Sequence, residues 1–519
     1  MTLFFIVTLI VSFIFLTVIT LMRQRLDFLP GARIWRALAP GLALFVFAAA
    51  GLFLSQHSFP ERKQIAVFPS IDFSFDENLE WKNWSIADQT IRALTPQLDE
   101  SWVVLPLEWT WKSVDKDSVQ NPAYLMNYAH RAGYDYILLT SQRSECKECP
   151  LQWEFIDIHH GMPLQKGKIE PENSHAIGEQ LATQICTALN IPFSAHDRKE
   201  MESSLLMWQA KQLQTLALGE YEEAIFWGKR AFYRDSLDVR VRNRLALAHM
   251  QRSLELTRQG KPGNVQQLLA LNLSRNTIDH VDSLSAEAHR LIAKYYILQR
   301  TWTRAEVHAR KSLQLDLNLA ATYVDITSFN EKRLELLGFD NKEQAFQYAL
   351  HLNPGYELAR LWLADHYYFN RVVNDARREL QTLLSIHPRS IDGWLLLGKI
   401  AVSQDKMDEI IEIYNRILEI DPYNPHAFYN LGVYYFTIGD TDHAKEFFQR
   451  AVQYGNHANS HLYLGHIYEA EGETEKAIKE YRQRIRLKSG PDDVYARRAM
   501  ERLYTLTNPD STDLNPGNP

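Results

Sequence analysis

At 519 residues the chain is too long for a single hydrophobic core, so two or three domains are expected. Its 56 Lys and Arg against 63 Asp and Glu give a formal net charge of −7 and a pI near 6.2, and the basic residues are scattered among acids as on solvated helix faces. That balance excludes a global basic field for nucleic acid, and three cysteines are too few for a disulfide-built scaffold.

Residues 1–22 carry no charge and run through Leu, Ile, Phe, Val and Thr. At 1.5 Å per residue such a helix spans a hydrocarbon core of about 30 Å. A second uncharged stretch occupies 37–56. The loop between them, 23–36, holds Arg23, Arg25, Arg33 and Arg36 against Asp27 alone. This predicts two transmembrane helices joined by a basic cytoplasmic loop, with the bulk of the protein on the far side of the membrane. A cleaved signal peptide is the alternative, but the first segment lacks a basic n-region and its apolar run exceeds the usual length of roughly 7 to 15 residues.

Residues 60–195 read as a small α/β domain with helices on a mixed sheet. Gln64 to Ser70 predicts a buried strand, Ser85 to Leu98 an amphipathic helix and Trp102 to Leu107 a second strand. Asn121 before Pro122 is an N-cap signal, Gly133 a helix stop, and Leu125, Met126 and Ala129 fall on the inward face between them. Tyr134 to Thr140 is a further strand. Leu151 to Ile158 and Leu164 to Ile169 form a hairpin about a His-His-Gly-Met-Pro turn, and a last helix runs from Ser174 to Leu189.

Cys146 and Cys149 lie between two of these strands as Cys-Lys-Glu-Cys. A zinc site would recruit His159 and His160, and a redox pair would open a helix, which this pair does not. A local disulfide closing the connection in an oxidising compartment fits the predicted topology best. Cys186 falls on the apolar side of the last helix. Trp81, Trp84, Trp102, Trp109 and Trp111 crowd into the same domain, either as an exposed row for sugars or as cover for a core. Asp157 lies close to His159 and His160 in sequence, but neighbours on a strand or tight turn point apart.

From about residue 205 to 490 the pattern is helical and repeats. Ala364, Gly398 and Gly432 stand 34 residues apart and Gly465 follows after 33, each preceded by a leucine: Leu363, Leu397, Leu431 and Leu464. Ala376, Ile410, Ala444 and Ala477 keep the same beat, with Leu380, Tyr414, Phe448 and Tyr481 four places later, and Pro354, Pro388 and Pro422 mark the junctions. Each unit is a helical hairpin in which the small residue admits a close approach and the large one fills the gap. Three degenerate units and one irregular unit, at about 319–355, precede four regular ones from 357, making about eight. Val494, Met500 and Leu503 mark a capping helix over 491–504, and 505–519 has the composition of a disordered tail.

This pattern resembles the tetratricopeptide repeat (TPR), which implies an all-α solenoid that binds other proteins. In the earlier domain, Ile65-Ala66-Val67-Phe68-Pro69, Gly133-Tyr134-Asp135-Tyr136-Ile137-Leu138 and Phe155-Ile156-Asp157 are similar to the TolB N-terminal-like domain. A related arrangement occurs in the periplasmic part of CadC-type regulators, though here no winged-helix domain precedes the first span. By resemblance to the repeat family, the partner groove is lined by Leu361, Asp365 and Tyr368, then Leu395 and Lys399, then Tyr429, Val433 and Phe436, and finally Leu462 and His466. Asp365 and Val433 depart from the residues with which some members clamp a terminal carboxylate. No phosphate loop, nucleophile elbow or metalloprotease helix is present. The expectation is a non-enzymatic bacterial inner-membrane protein that needs no cofactor and has periplasmic soluble domains. It takes a protein partner in the groove as a scaffold or assembly factor, or alternatively acts as a signalling sensor or a glycan binder.

Overall fold

The computed structural model describes residues 62–508 except 70, 73–79, 100, 106, 108–120, 143–148, 171–173, 195–202 and 491. The two spans and basic loop predicted over 1–56 lie outside the described residues, as do Cys146, Trp109 and Trp111. Among the described residues no helix is long and apolar enough to cross a membrane.

A mixed sheet comes first. Strand β1 (Lys63–Val67) pairs in parallel with β3 (Trp102–Leu105) on one side and β4 (Tyr136–Gln142) on the other, and β2 (Ile71–Asp72) adds to β4 in parallel. Antiparallel pairing continues from β4 to β5 (Leu151–Asp157) and from β5 to β6 (Met162–Ile169), giving the order β3-β1-β4-β5-β6. The first predicted strand is therefore shorter than Gln64 to Ser70.

Helix α1 (Glu80–Leu94) starts five residues before its predicted start and stops at Leu94, where Pro96 allows only a 3₁₀ turn to follow. Helix α2 (Pro122–Ala132) has the predicted bounds. Asn121 accepts from the Ala123 N–H, Pro122 occupies the first turn, and Gly133 closes the helix at φ +75°. Helix α3 (Ser174–Ala188) crosses α1 at Gly178, where a Cβ would lie 2.6 Å from Gln89 Cβ and 2.7 Å from its backbone. Only glycine allows that approach.

The rest is helical. Hairpins form from α4 (Ser203–Ala217) and α5 (Tyr221–Arg234), from α6 (Val239–Arg258) and α7 (Asn264–His280), and from α8 (Ala286–Leu298) and α9 (Trp302–Leu315). The irregular fourth unit is broken into α10 (Ala320–Ile326), α11 (Glu331–Leu336) and α12 (Lys342–Leu352). Four regular hairpins follow: α13 (Glu357–Phe369) with α14 (Val373–Ile386), α15 (Ile391–Ser403) with α16 (Met407–Ile420), α17 (Pro425–Thr437) with α18 (Thr441–Gly455), and α19 (Ala458–Ala470) with α20 (Thr474–Arg486).

Within these hairpins the small and large positions meet as their spacing predicts. A Cβ on Gly398 would lie 2.6 Å from the Tyr414 hydroxyl, and one on Gly432 2.7 Å from the Phe448 ring. Helix α21 (Val494–Thr507) ends the array, but its inward face is not the predicted one. Ala496 and Ala499 are buried and Leu503 packs on the last repeat, whereas Val494 and Met500 face solvent. A short alanine face seats this helix closely against α20, and the larger apolar residues are left outside.

The turn between the two helices of each regular hairpin needs one left-handed residue, at Arg371, Asp405, Gly439 and Gly472 in succession. Glycine fills it twice; a side chain fills it twice, at a cost of about 1 kcal/mol each. Arg371→Gly is therefore expected to raise unfolding free energy by up to about 1 kcal/mol, and Gly439→Ala to lower it by a similar amount, read from urea midpoints at constant m. Equal midpoints for all three proteins would contradict this account.

Candidate partner-binding groove

The α/β unit sits on the repeats through a buried polar hub. Asp88 of α1 is 2% exposed and receives Arg244 Nη2 at 2.6 Å and Nε of its own-helix neighbour Arg92 at 3.0 Å, with Arg240 Nη1 at 3.7 Å. Arg92 reaches on to Asp238 at 3.2 Å and to Gln209, and Asp238 caps α6 by accepting from the Arg240 and Val241 N–H groups. Burial pushes the Asp88 carboxyl up, but Arg244, Arg92 and Arg240 outweigh it and hold the group well below the usual carboxylate range. The scattered charges of the sequence are thus not all on solvated faces.

Further contacts follow the junctions between repeats. Asn318 donates to the Trp102 carbonyl, Gln64 Nε2 to the His351 carbonyl at 2.8 Å, and Arg131 to the Ser385 carbonyl at 2.8 Å. Gly355 lies so close to Tyr134 that a Cβ would approach its hydroxyl at 2.5 Å. His387 and Tyr128 meet edge to face, and the His387 Nε2–H donates to the Gly355 carbonyl at 2.7 Å. Burial lowers the His387 pKa.

The same helix positions that are predicted to line the groove in the regular repeats are closed in the earlier ones. Arg290 is 3% exposed and bonded to Glu287 and Asp325, Lys294 shares Asp325 and lies over Trp362, and Leu247 and Val324 are buried. From α13 onward the inner face opens. Asp365 and Lys399 are exposed, and neither has an ion pair among the described residues. Leu361, Tyr368 and Leu395 are half-buried against the repeat core. Tyr429 stacks on His457 at 4.2 Å, and burial together with His426 and His461 pushes His457 down to about 4. Val433 packs beside it. His466 accepts from the Tyr481 hydroxyl at 3.0 Å or donates to it, and burial lowers its pKa. Leu462 is 3% exposed and belongs to the core, which removes it from the lining.

Sequence reasoning placed Phe436 in the groove but missed the rest of its lip. Phe369 is 82% exposed, Val402 51% and Phe436 37%, with Val372 and Ile438 beside them, at or just past the ends of successive inner helices. Val402 and Phe436 keep the 34-residue beat and Phe369 stands one place off it. An apolar residue repeated where a helix ends was the available signal.

Other candidates resolve differently. Trp84 is buried, and Trp81 and Trp102 pack against the core, so the described tryptophans form no exposed row. His159 bonds Asp135 at 2.8 Å and His160 bonds Asp157 at 3.0 Å, both exposed, the turn bringing Asp157 and His160 together where separation was expected. Among the described residues no group of three His, Cys, Asp or Glu is placed to hold a metal. Cys149 is disulfide-bonded and Cys186 is a buried free thiol.

Tetratricopeptide-repeat family models match residues 363–425, 425–454 and 460–495. The C-terminal part of the chain is an array of these repeats, a class of fold that mediates protein–protein contact. Over 96 residues, 18% of this chain, the sequence is 35% identical to Protein O-mannosyl-transferase Tmtc3 of Drosophila melanogaster, and that stretch spans only 10% of the relative. Among solved structures, yeast Tom70 aligns with TM-score 0.43 and 12% identity over 66% of this chain and 76% of that one. The APC/C hetero-tetramer Cut9-Hcn1 aligns with TM-score 0.43 and 15% identity over 63% and 60%. For Pseudomonas aeruginosa pilF the values are 0.36 and 16% over 43% and 98%.

Removing the hub's anion tests its role. Asp88→Asn leaves Arg244 and Arg92 buried without their shared carboxylate and is expected to cost about 3–5 kcal/mol. Because the folded pKa of Asp88 is depressed, its contribution is complete above the unfolded carboxylate pKa of about 3.9 and is lost as pH falls below it. Denaturation of the parent between pH 7 and pH 3 should show the onset of that loss, and the Asp88→Asn variant should show less of it. A cost under 1 kcal/mol would remove the hub from the account.

Proposed function

We propose that this protein is a non-enzymatic scaffold or assembly factor of the bacterial envelope. Residues 1–22 and 37–56 anchor it in the inner membrane, and the α/β unit and repeats face the periplasm. The observation that carries the binding role is the exposed apolar lip of Phe369, Val402 and Phe436, lying beside Asp365 and Lys399 on the open repeats. A run of aromatic and aliphatic side chains with charges at its edge is the composition of a protein contact surface. The uncharged spans and the Arg-rich loop between them support the anchorage and its orientation.

One observation favours a second reading, in which the α/β unit senses a ligand and signals through a partner. A cavity of about 520 Å³ lies over β4, β5 and β6 beside Pro122, lined by Leu139, Ser141, Gln152, Glu154, Lys166 and Lys168 among others. Its mixed polar lining suits a small polar molecule.

Two measurements test the proposal. Solubilised full-length chain is incubated with envelope extract beside a variant carrying Phe369→Ser, Val402→Ser and Phe436→Ser, with melting temperature as the folding check. A protein retained by the parent and lost by the variant supports the groove; the same set on both moves the role to the α/β unit. For the compartment, thiols are alkylated in denaturant without reductant. One labelled cysteine, rising to three after reduction, is expected from a Cys146–Cys149 disulfide in an oxidising space; three from the outset argue against the periplasm.

A further inference from the structure

Two helices early in the array are seated inside out. In α5 the residues against the neighbouring helices are small, Ala224, Gly228 and Ala231, and a Cβ on Gly228 would run into the Gln212 side chain. The large side chains of α5 are left outside: Tyr233 is 84% exposed, Phe226 is 48% exposed and Trp227 is half-buried. In α7 the pattern recurs in aliphatic form. Ala270, Leu271, Ser274 and Thr277 are buried, whereas Val265, Leu268 and Leu269 are exposed, and no charged residue occurs from Asn264 to Ser274. These are the second helices of the first two hairpins. In the regular repeats the second helices α14, α16 and α20 expose no large apolar side chain, and α18 exposes only Tyr454.

The aromatic part of this surface carries cations. Arg230 lies over the Phe226 ring at 4.6 Å and the Trp227 ring at 5.6 Å, and the two rings meet edge to face at 4.9 Å. Lys211 of α4 lies over Trp227 at 4.5 Å. Lys229, Arg230 and Arg234 fill the second half of α5. Its acids, Glu222 and Glu223, stand in the first turn, where Glu222 pairs with Arg252 of α6. Rings with cations at their faces present an apolar body and a positive rim together, and that combination settles at headgroup depth in a bilayer containing anionic lipid.

We infer that the second helices of the first two repeats rest on the surface of the membrane that anchors the chain. Phe226, Tyr233, Leu268 and Leu269 lie at headgroup depth, and Lys229 and Arg230 meet anionic lipid. The inference rests on the anchorage proposed above and is independent of the groove. With 1–22 and 37–56 in the membrane, every copy of the chain has a bilayer beside it, and residues 57–61 extend at most about 18 Å from the second stretch to Arg62. A surface held that close acts at high effective concentration, so a patch too weak to capture vesicles from solution is still occupied. The Asp88 hub keeps the first two repeats on the α/β unit that follows this tether, through Arg244 of α6 directly and through Arg92 to Gln209 of α4.

The test places a photo-crosslinking benzoylphenylalanine at position 233, 268 or 504 of the full-length chain in the cells that make it, with melting temperature as the folding check. Position 504 is exposed on α21 and serves as the control. Expected are phospholipid adducts at 233 and 268 that exceed those at 504 at least fivefold. Lys229→Gln combined with Arg230→Gln is expected to lower the yield at 233 at least threefold. The same drop is expected for the parent moved from vesicles of three parts phosphatidylcholine to one part phosphatidylglycerol into phosphatidylcholine alone. Yields unchanged by either step overturn the role of anionic lipid. Equal lipid yields at all three positions, adducts at 233 and 268 on protein instead of lipid, or no adducts overturn the membrane contact, and a chain that stays in membranes washed with alkaline carbonate then leaves the anchorage standing. A chain that carbonate releases overturns the anchorage and this inference with it.

Discussion

The carboxylate of Asp88 is gripped by Arg244 from the repeats and by Arg92 from its own helix, and the placing of the α/β unit depends on that grip. Apolar contact between α1 and α4 favours association but tolerates sliding, since the hydrophobic effect has no direction. Buried charges do not tolerate it. Moving either out of water costs several kcal/mol, which mutual attraction offsets only when the geometry is good and the remaining hydrogen bonds are made. Asp238 and Gln209 make them here by engaging the outer side of Arg92. With α1 fixed at that point, the end of α2 comes to the junctions at Gly355 and His387, and the edge strand β3 comes to Asn318.

Much of this fold was legible because its signals are local or periodic. Asn121, Pro122 and Gly133 each act within a turn of their own position, and α2 has the bounds they dictate. The 34-residue beat was legible because one small position must face one large one in every hairpin. The left-handed turns at Arg371 and Asp405 were not, since no glycine marks them and the repeat imposes the conformation on whatever residue is there. The phase of α21 was misread for a related reason. Alanines give a weak apolar signal, yet they allow the close approach that buries a helix, so Val494 and Met500 looked like the inward face and are not. The hub had no sequence signature at all. Asp88 and Arg244 are 156 residues apart, and each looks like any charge on an amphipathic helix.

The groove was half legible for a geometric reason. A position on the inner face of one repeat helix also borders the inner helix of the next repeat, so the same residue type can serve packing or binding. Leu462 packs; Asp365 and Lys399 stand clear; Tyr429 is half-buried and stacked on His457. Only toward the end of the inner helix does the side chain escape its neighbour, which is why Phe369 and Val402 are more exposed than any of the apolar residues the repeat pattern nominates.

The repeats are near-equivalent in backbone and unequal in surface, and that inequality divides the array. In the third and fourth units the inner face is taken up by ion pairs among Arg290, Lys294 and Asp325, and the junctions at 318 and 351–355 hold the α/β unit, so this part is a mount. The hairpin of α13 and α14 belongs to both halves. Its inner helix carries Asp365 and Phe369 toward the open groove, while the far end of its second helix carries Ser385 and leads to His387, which meet Arg131 and Tyr128. Leu363 and Leu380 lie in the core between the two surfaces. A close-packed interior of this kind transmits displacement because it has little free volume in which to absorb it.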